Sequence, residues 1–197
     1  MIEIVLIVSA YLLGSVPTGY ILGSLAGIDV RKAGSGNVGA TNVARVAGKG
    51  RGALTLALDV GKGWLAVFAS LQFEVSLLCV VLVATAVFLG HLYPIFLRFQ
   101  GGKGVATALG VFLAVAPLAT LLLIVVFVAT VAPSRMVSLG SLAAAVTVPV
   151  ILWLLAHPAE VVALGCFIGV MIIWRHRANI QRLLAGTEPK FGSANSR

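Results

Sequence analysis

The feature that most limits how this chain can fold is a series of long apolar runs separated by short polar segments. Five of these runs are clear in the sequence: 4–25, 53–71, 75–94, 136–156 and 159–175. A helix needs about 20 consecutive apolar residues to cross the hydrocarbon core of a bilayer. The mean hydropathy of +1.09 is too high for a soluble domain, and only 10% of the residues are charged. We therefore predict an all-α integral membrane protein.

The stretch 105–132 is also apolar, but it can be divided in two ways. If the stretch is one helix, the chain has six spans. The basic residues after the last span then lie outside the cell, which opposes the positive-inside tendency. As two short helices broken at Ala116-Pro117 it gives seven, and proline disfavours the helical conformation of the residue before it. The first of these two, 105–116, is short for a bilayer of normal thickness and has to tilt, thin the membrane or pack as an incomplete span.

The seven-span division separates the charges by side. Glu3, Glu74 and Glu160 fall on one side without any lysine or arginine. The other side receives Arg31, Lys32, Arg45, Lys49, Arg51, Arg98, Lys103, Arg135, Arg175, Arg177, Arg182 and Lys190. We therefore predict seven transmembrane helices with the N-terminus outside and the C-terminus in the cytoplasm.

These helices are predicted to form a single polytopic membrane domain, 1–191, followed by a polar tail, 192–197. We interpret the tail as a cloning remnant or a disordered end. The net charge of +8 does not indicate a nucleic-acid partner, because the basic residues lie at the ends of apolar runs and no long basic run occurs. Cys79 and Cys166 lie within apolar runs, and no cysteine–histidine cluster has metal-ligand spacing. The sequence thus predicts no metal and no cofactor.

The predicted topology brings three glycine-, asparagine- and base-rich segments to the cytoplasmic face. In the first segment, glycines allow the backbone to turn through positive φ and to present successive N–H groups to an anion. Hydroxyl and amide side chains add neutral donors, and an arginine suits phosphate oxygens. The candidate residues are Gly34, Ser35, Gly36, Asn37, Gly39, Thr41, Asn42 and Arg45. The alternative is a flexible polar loop with a helix cap.

The second segment is Gly101-Gly102-Lys103-Gly104, immediately before an apolar helix. A glycine-rich turn that enters a helix can bind an anion through free N–H groups and the helix dipole, and Lys103 adds a full charge. No serine or threonine follows the lysine, so the segment is not a P-loop. The alternative is a plain turn.

The third segment, 174–179, contains His176 and Asn179, which share a face if the helix continues. For Trp174 and Arg177 we favour an interfacial anchor. Asp59 and Lys62 lie three apart inside a span, where charges are either functional or paired with each other. His91 could be a ligand, although a histidine that caps a span at the interface is more common.

Few acidic residues are available on the cytoplasmic side: Asp29, Asp59 and Glu188. A paired-carboxylate mechanism or a magnesium site built from carboxylates is therefore disfavoured. No His-x-x-x-x-Asp arrangement is present, so the His–Asp base of many acyltransferases is missing. No Gly-x-Ser-x-Gly elbow occurs either.

Together these residues resemble the bacterial membrane-embedded glycerol-3-phosphate acyltransferases that take their acyl group from acyl phosphate. The resemblance covers nearly the whole chain. It is carried by Gly34-Ser35-Gly36-Asn37-x-Gly39-Ala40-Thr41-Asn42-x-x-Arg45, by Leu58-Asp59-x-x-Lys62-Gly63, by Gly90-His91-x-x-Pro94 with Phe96-Leu97-x-Phe99-x-Gly101-Gly102-Lys103-Gly104-Val105-Ala106-Thr107, and by Trp174-Arg175-His176-x-x-Asn179-Ile180 with Glu188 downstream.

The resemblance implies transfer of a long acyl chain from acyl phosphate to the 1-hydroxyl of glycerol 3-phosphate, without a metal. It implies lysophosphatidic acid and phosphate as products, in the first acylation of phospholipid synthesis at the bacterial inner membrane. We expect Ser35, the turn 101–104, His176 and Asn179 to hold the acyl phosphate head, and Arg45 and Lys103 to bind glycerol 3-phosphate. The acyl tail is expected between helices, open to membrane lipid. Asp59, Lys62, His91 and Glu188 are candidate supporting residues.

Several questions stay open at this level. The base that removes the hydroxyl proton is either His176 or the phosphate of the substrate. Glu188 either touches substrate or braces the C-terminal loop. An organic-phosphate transporter would use the same donors, but transporters commonly show inverted repeats and a site at the bilayer midplane. A lipid-anchored interaction protein is the other alternative. The sequence does not report the oligomeric state or the preferred chain length.

Overall fold

The structure, a computed structural model, describes residues 1–191; the predicted tail 192–197 lies outside them. The described residues contain only helices, which confirms the all-α prediction. The α-helices are α1 (Ile2–Ser15), α2 (Thr18–Ser24), α3 (Ala40–Val46), α4 (Lys49–Ser70), α5 (Leu77–Leu92), α6 (Val105–Val115), α7 (Pro117–Ser134), α8 (Val137–Leu154), α9 (Ala159–Arg175) and α10 (Arg177–Leu184). A short 3-10 helix, Ile95–Leu97, follows α5.

Five segments of the described chain are long and apolar enough to cross a membrane: Ile2–Ser24, Lys49–Ser70, Leu77–Leu97, Pro117–Ser134 and Val137–Leu154. A sixth is obtained if α9 and α10, which meet at a bend of 60°, count as one broken span. The remaining apolar helix, α6, has 11 residues and spans about 17 Å at 1.5 Å per residue. All seven predicted apolar segments are therefore helical, whereas the count of seven complete spans stays a prediction.

The predicted break at Ala116-Pro117 is confirmed. Ala116 has φ −148° and ψ 66°, outside the helical region, and Pro117 is the first residue of α7. A proline is well placed there because its missing N–H would lack a partner in the first helical turn anyway. The chain divides at this point into two compact units, Met1–Val115 and a second unit that begins at Ala116.

Within the first unit, glycines let pairs of helices approach closely. A Cβ atom on Gly14 or Gly90 would collide with backbone atoms of the facing helix in the α1–α5 pair. A Cβ atom on Gly63 or Gly110 would likewise collide with backbone atoms of the facing helix in the α4–α6 pair. Helices in a bilayer gain no hydrophobic energy from association, so such small residues permit the backbone contact that holds the helices together.

The first apolar span is broken at Pro17, between α1 and α2. The carbonyl of Val16 at this break accepts a hydrogen bond of 3.1 Å from the ammonium group of Lys62 in α4. A backbone carbonyl at the break is thus hydrogen-bonded by a neighbouring helix, as the interior of a membrane requires.

The second unit packs α8 against both α7 and α9. A Cβ on Gly140 would meet the side chain of Val131, and one on Gly169 would meet the carbonyl of Ala145. The end of the described chain is tied back to the α7–α8 connection. The N–H of Phe191 donates to the carbonyl of Arg135 at 2.6 Å, and the Arg135 guanidinium donates to the Phe191 carbonyl at 3.1 Å.

Candidate functional site

The first polar segment forms a loop that is braced from inside by Asn42. This side chain is 2% exposed, and its amide nitrogen donates to the carbonyls of Val30, Ala33 and Asn37 at 2.8–3.0 Å. Its amide oxygen accepts the N–H of Ser35 at 2.8 Å. Asn42 therefore holds the loop closed, and its hydrogen-bonding capacity is used within the loop.

The glycines of this loop shape the backbone as predicted, but several N–H groups point inward. Gly34 and Gly36 have φ of 61° and 70°, which an L side chain rarely adopts. However, the N–H of Gly36 donates to the Ala33 carbonyl at 3.1 Å, and that of Gly39 donates to Asn37 Oδ1 at 2.7 Å. Each of these N–H groups, like that of Ser35, already has a partner within the loop. That they line an anion site stays a prediction.

What the loop does expose is a set of side chains. Ser35 and Thr41 are exposed, as is Arg45 in α3. The Arg45 guanidinium makes no hydrogen bond or ion pair within the described residues, whereas α3 itself is fixed because Ala44 lies in contact with Gly52 of α4. An exposed guanidinium on a fixed helix is suited to phosphate oxygens.

Asp29, one of the predicted cytoplasmic acids, is committed to Arg31. The guanidinium donates to both carboxylate oxygens, each at 2.9 Å. These hydrogen bonds lower the pKa of Asp29 to about 2. A carboxylate of such low pKa is a poor general base near neutral pH, so Asp29 is not a candidate for proton removal.

The second segment is fastened to the end of α5. The N–H of Gly101 donates to the Leu92 carbonyl and that of Gly102 to the His91 carbonyl, both at 3.1 Å. Gly104 has φ of 86° and lies against the side chains of Phe88 and Leu92. The N–H groups of Gly101 and Gly102 thus cap α5, and their role as anion donors stays a prediction. Lys103 is half-buried in this turn, directly before α6.

Asp59 and Lys62 form the predicted ion pair, with 2.9 Å between Nζ and Oδ1. The carboxylate also accepts a hydrogen bond of 2.7 Å from Thr18, and Nδ1 of His91 lies 3.5 Å from the same oxygen. All four side chains are buried. His91 is therefore not an interfacial cap but part of a cluster inside the first unit, which the spacing of the sequence did not reveal.

The third segment bends by 60° at His176, so the helix does not continue, which was the condition for His176 and Asn179 to share one helix face. His176 ends α9 and begins α10, and its side chain is 2% exposed. Its Nδ1 lies 2.8 Å from the Ile172 carbonyl. A carbonyl oxygen only accepts, so we assign the ring proton to Nδ1. The basic lone pair of the neutral ring is then on Nε2.

Asn179 and Glu188 belong to one buried network in the second unit. Glu188 Oε1 accepts hydrogen bonds of 2.6 Å from the Asn179 amide and from the hydroxyl of Ser138. Oε2 accepts from Arg182 at 2.7 Å. Burial opposes ionisation of Glu188, but these three hydrogen bonds outweigh it and lower the pKa of the carboxyl. Glu188 thus braces the C-terminal segment, and Ser138 is a partner that sequence reasoning missed.

An apolar groove of about 580 Å³ runs along the α4–α6 pair. Its walls are Ala53, Leu56, Ala57, Val60, Gly61, Trp64, Leu109 and Leu113. The groove begins at Ala53, next to the Gly52 that contacts α3. Its other wall belongs to α6, the helix that the Lys103 turn enters. An apolar channel thus lies next to the polar ends that carry Arg45 and Lys103.

Comparison with known proteins agrees with this combination of basic loops and apolar helices. A sequence profile of the family described as glycerol-3-phosphate acyltransferase matches residues 4–186. The glycerol-3-phosphate acyltransferase of Geobacter metallireducens is 51% identical over 191 residues, covering 97% of this chain and 98% of the relative. That of Trichlorobacter lovleyi is 49% identical, with 94% and 95% covered.

Two solved structures share the fold. Both are crystal structures of PlsY, an integral membrane glycerol 3-phosphate acyltransferase, and both are 42% identical to this chain. The glycerol 3-phosphate form matches with a TM-score of 0.94 and the lysophosphatidic acid form with 0.90. In each case the match covers 98% of this chain and 96% of the other. Sequence and fold agree along the whole chain, which belongs to the glycerol-3-phosphate acyltransferase family.

Proposed function

We propose that this protein transfers a long acyl chain from acyl phosphate to the 1-hydroxyl of sn-glycerol 3-phosphate, giving lysophosphatidic acid and phosphate. The observation that carries the proposal is the exposed Arg45, held on a helix that packs against α4, the helix that forms one wall of an apolar groove. The relatives named above are glycerol-3-phosphate acyltransferases, and one solved relative is in a glycerol 3-phosphate form.

Arg45 and Lys103 bind the phosphate of glycerol 3-phosphate in this proposal. Arg45 lies in the short helix α3 and Lys103 in the turn before α6, both in polar segments that a water-soluble substrate can reach. Ser35 and Thr41 add hydroxyl donors from the exposed face of the loop. Asn37 and Asn42, with Gly34, Gly36 and Gly39, act by holding the loop in shape. Gly101, Gly102 and Gly104 hold Lys103 in its turn.

The acyl tail occupies the groove along α4 and α6. The groove walls are entirely apolar or small, so a hydrocarbon chain leaves water without burying polar groups of the protein. The groove lies along the apolar surface of α4 and α6, and a long-chain donor enters it from the bilayer in this proposal.

The chemistry needs little from the protein beyond positioning and charge stabilisation. The hydroxyl oxygen of glycerol 3-phosphate attacks the acyl carbonyl carbon, and the carbon–oxygen bond to phosphate breaks with its electrons leaving on phosphate. The hydroxyl proton goes either to Nε2 of His176 or to a phosphate oxygen of the substrate. Asn179 and Glu188 support the bend at His176, while Ser138 and Arg182 satisfy Glu188.

In the membrane we propose seven spans in a single polytopic domain, with α6 as an incomplete span, the N-terminus outside and the C-terminus in the cytoplasm. The positive-inside tendency supports this orientation. The phosphate-binding loops then face the cytoplasm at the bacterial inner membrane.

The decisive experiment incubates purified protein with acyl phosphate and labelled glycerol 3-phosphate. We expect labelled lysophosphatidic acid and an equal amount of free phosphate. The same assay with acyl-CoA or acylated acyl carrier protein in place of acyl phosphate tests which acyl donor the protein uses. No lysophosphatidic acid from any donor would contradict the acyltransferase proposal, and uptake of glycerol 3-phosphate into proteoliposomes without product would indicate a transporter.

A further inference from the structure

The buried cluster of Asp59, Lys62, Thr18 and His91 is not used by any step proposed above. His91 is 7% exposed and Asp59 is 1% exposed, so both side chains are buried in this structure. Charged groups inside membrane proteins are costly and are kept where they serve a function. The position of His91 within the cluster indicates what that function is.

His91 lies between the cluster and the Gly101-Gly102 turn. Its carbonyl accepts the N–H of Gly102 at 3.1 Å. Its imidazole packs against the same residue, because a Cβ on Gly102 would collide with Nε2. Gly102 does not have positive φ, so its backbone conformation does not demand glycine. The space that the imidazole occupies is what excludes a side chain there.

The opposite side of the imidazole is held by the cluster. Nδ1 faces Asp59 Oδ1 at 3.5 Å. That oxygen is itself fixed by Thr18 at 2.7 Å and by Lys62 at 2.9 Å. The ring is therefore confined between an anchored carboxylate and the backbone of the turn.

The segment just before the turn also needs such support. Arg98 and Phe99 have φ of 51° and 63°, values that are costly for residues other than glycine. Neither residue is a glycine, so neighbouring contacts have to hold the backbone in this conformation. Hydrogen bonds to the carbonyls of His91 and Leu92 in α5 and of Pro94, just after it, provide this restraint.

We propose that His91, anchored by Asp59, is a positioning residue that sets the 101–104 turn and thereby the location of the Lys103 ammonium. The inference rests on the proposed function, since it takes Lys103 as a ligand of glycerol 3-phosphate. It adds a role for the buried cluster: the cluster controls affinity for that substrate without touching it. Removal of the ring allows the turn to shift, and a shift of about 1 Å at a positioned group can cost about a hundredfold.

The test compares His91→Ala, His91→Asn and a control, Tyr11→Phe. Tyr11 joins α1 to the same end of α5 through a hydrogen bond of 2.8 Å to the Tyr93 carbonyl, which lies outside the 101–104 turn. We expect His91→Ala to raise the KM for glycerol 3-phosphate about tenfold or more, with the KM for acyl phosphate changed much less. Tyr11→Phe should lower the melting temperature and leave both KM values unchanged.

His91→Asn separates positioning from stability. Asparagine keeps a donor near the position of Nδ1, toward Asp59, but has no atom where Nε2 lies. We expect it to melt close to the wild-type temperature and still show the raised KM. A wild-type KM in His91→Asn overturns the proposal, as does an equal rise in the Tyr11→Phe control.

A double-mutant cycle tests the contact itself. Gly102→Ala should raise the KM for glycerol 3-phosphate sharply in the wild-type background and much less in His91→Ala, because the colliding ring is then gone. If Gly102→Ala raises the KM for glycerol 3-phosphate by the same factor in both backgrounds, the inference is overturned. Its failure is distinguishable from failure of the proposed function, because in the latter case the wild type itself makes no lysophosphatidic acid.

Discussion

Asn42 and Asn179 are buried, and both donate amide hydrogens to groups of the protein. Each lies in a segment whose composition indicated phosphate binding. An amide serves equally well as a ligand donor or as an internal brace, and only its surroundings decide between the two roles. Arg45 differs because a guanidinium is costly to bury without a partner, and it lies exposed.

Replacement of Arg45 by alanine should weaken binding of glycerol 3-phosphate. Loss of a hydrogen-bonded charge on phosphate costs about 2 kcal/mol, which raises KM about thirtyfold. Steady-state kinetics with varied glycerol 3-phosphate measure this change. The matched control is Lys49→Ala, which removes an exposed charge close by in the chain. A normal KM in Arg45→Ala would remove Arg45 from the proposed role.

Replacement of Glu188 by glutamine should destabilise the second unit by about 2 kcal/mol, because hydrogen bonds to a buried charge are weakened. The pKa of Glu188 is lowered in the folded protein, so its ionised form stabilises the fold above its ordinary value of 4.5. This stabilisation is lost as the pH falls through the folded pKa.

Thermal melting in detergent at several pH values measures the effect of Glu188→Gln. The gap between wild type and variant should be full near neutral pH and should close as the pH falls below 4.5. Glu160→Gln, at an exposed position, is the control and should melt like the wild type. A gap that persists unchanged at low pH would show that ionisation of Glu188 does not support the fold.

The helices are the scale at which sequence reasoning worked best. Apolar runs and one proline placed the helical segments and the Ala116 break, because these signals act on the chain locally. The bend at His176 was missed, since no proline or glycine marks it. The sequence also did not show which glycines form contacts between helices, because the residue that faces each glycine comes from a distant part of the chain.

Gly61 and Gly63 in α4 allow a direct comparison of exposed and packed glycines. A Cβ on Gly63 would collide with the Thr107 carbonyl of α6, whereas nothing lies within 4 Å of one on Gly61. We expect Gly63→Ala to destabilise the protein by about 2 kcal/mol through overpacking. Gly61→Ala should be neutral or stabilise by up to about 1 kcal/mol, since alanine favours a helix. Thermal melting of both variants checks this, and equal melting temperatures would contradict the packing described.

A larger side chain at Gly61 tests whether the groove holds the acyl tail. Gly61→Leu places a large side chain on the groove wall without a clash, so the protein should keep its melting temperature. We expect kcat/KM to fall more for long acyl phosphates than for short ones, because the added side chain shortens the available channel. An equal loss at every chain length would place the tail elsewhere.

At the scale of the whole molecule, the seven-span topology predicts which residues face each side. Single cysteines, introduced after Cys79 and Cys166 are replaced, can be labelled in whole cells with a membrane-impermeant maleimide. Cysteines at Glu74 and Glu160 should react from outside, and those at Lys49 and Arg177 only after permeabilisation. Labelling at position 177 from outside, with position 49 still protected, would indicate six spans instead.

The sequence by itself determined the class of the molecule, the helical segments and the residues that define the family, because apolar length, proline and composition act within a short stretch of chain. The tertiary structure decided which polar groups remain available to a ligand. Asn42, Asn179, Glu188 and the N–H groups of Gly101 and Gly102 all found partners within the protein. Buried polar groups must be satisfied by whatever lies next to them, and only the folded chain brings those neighbours together.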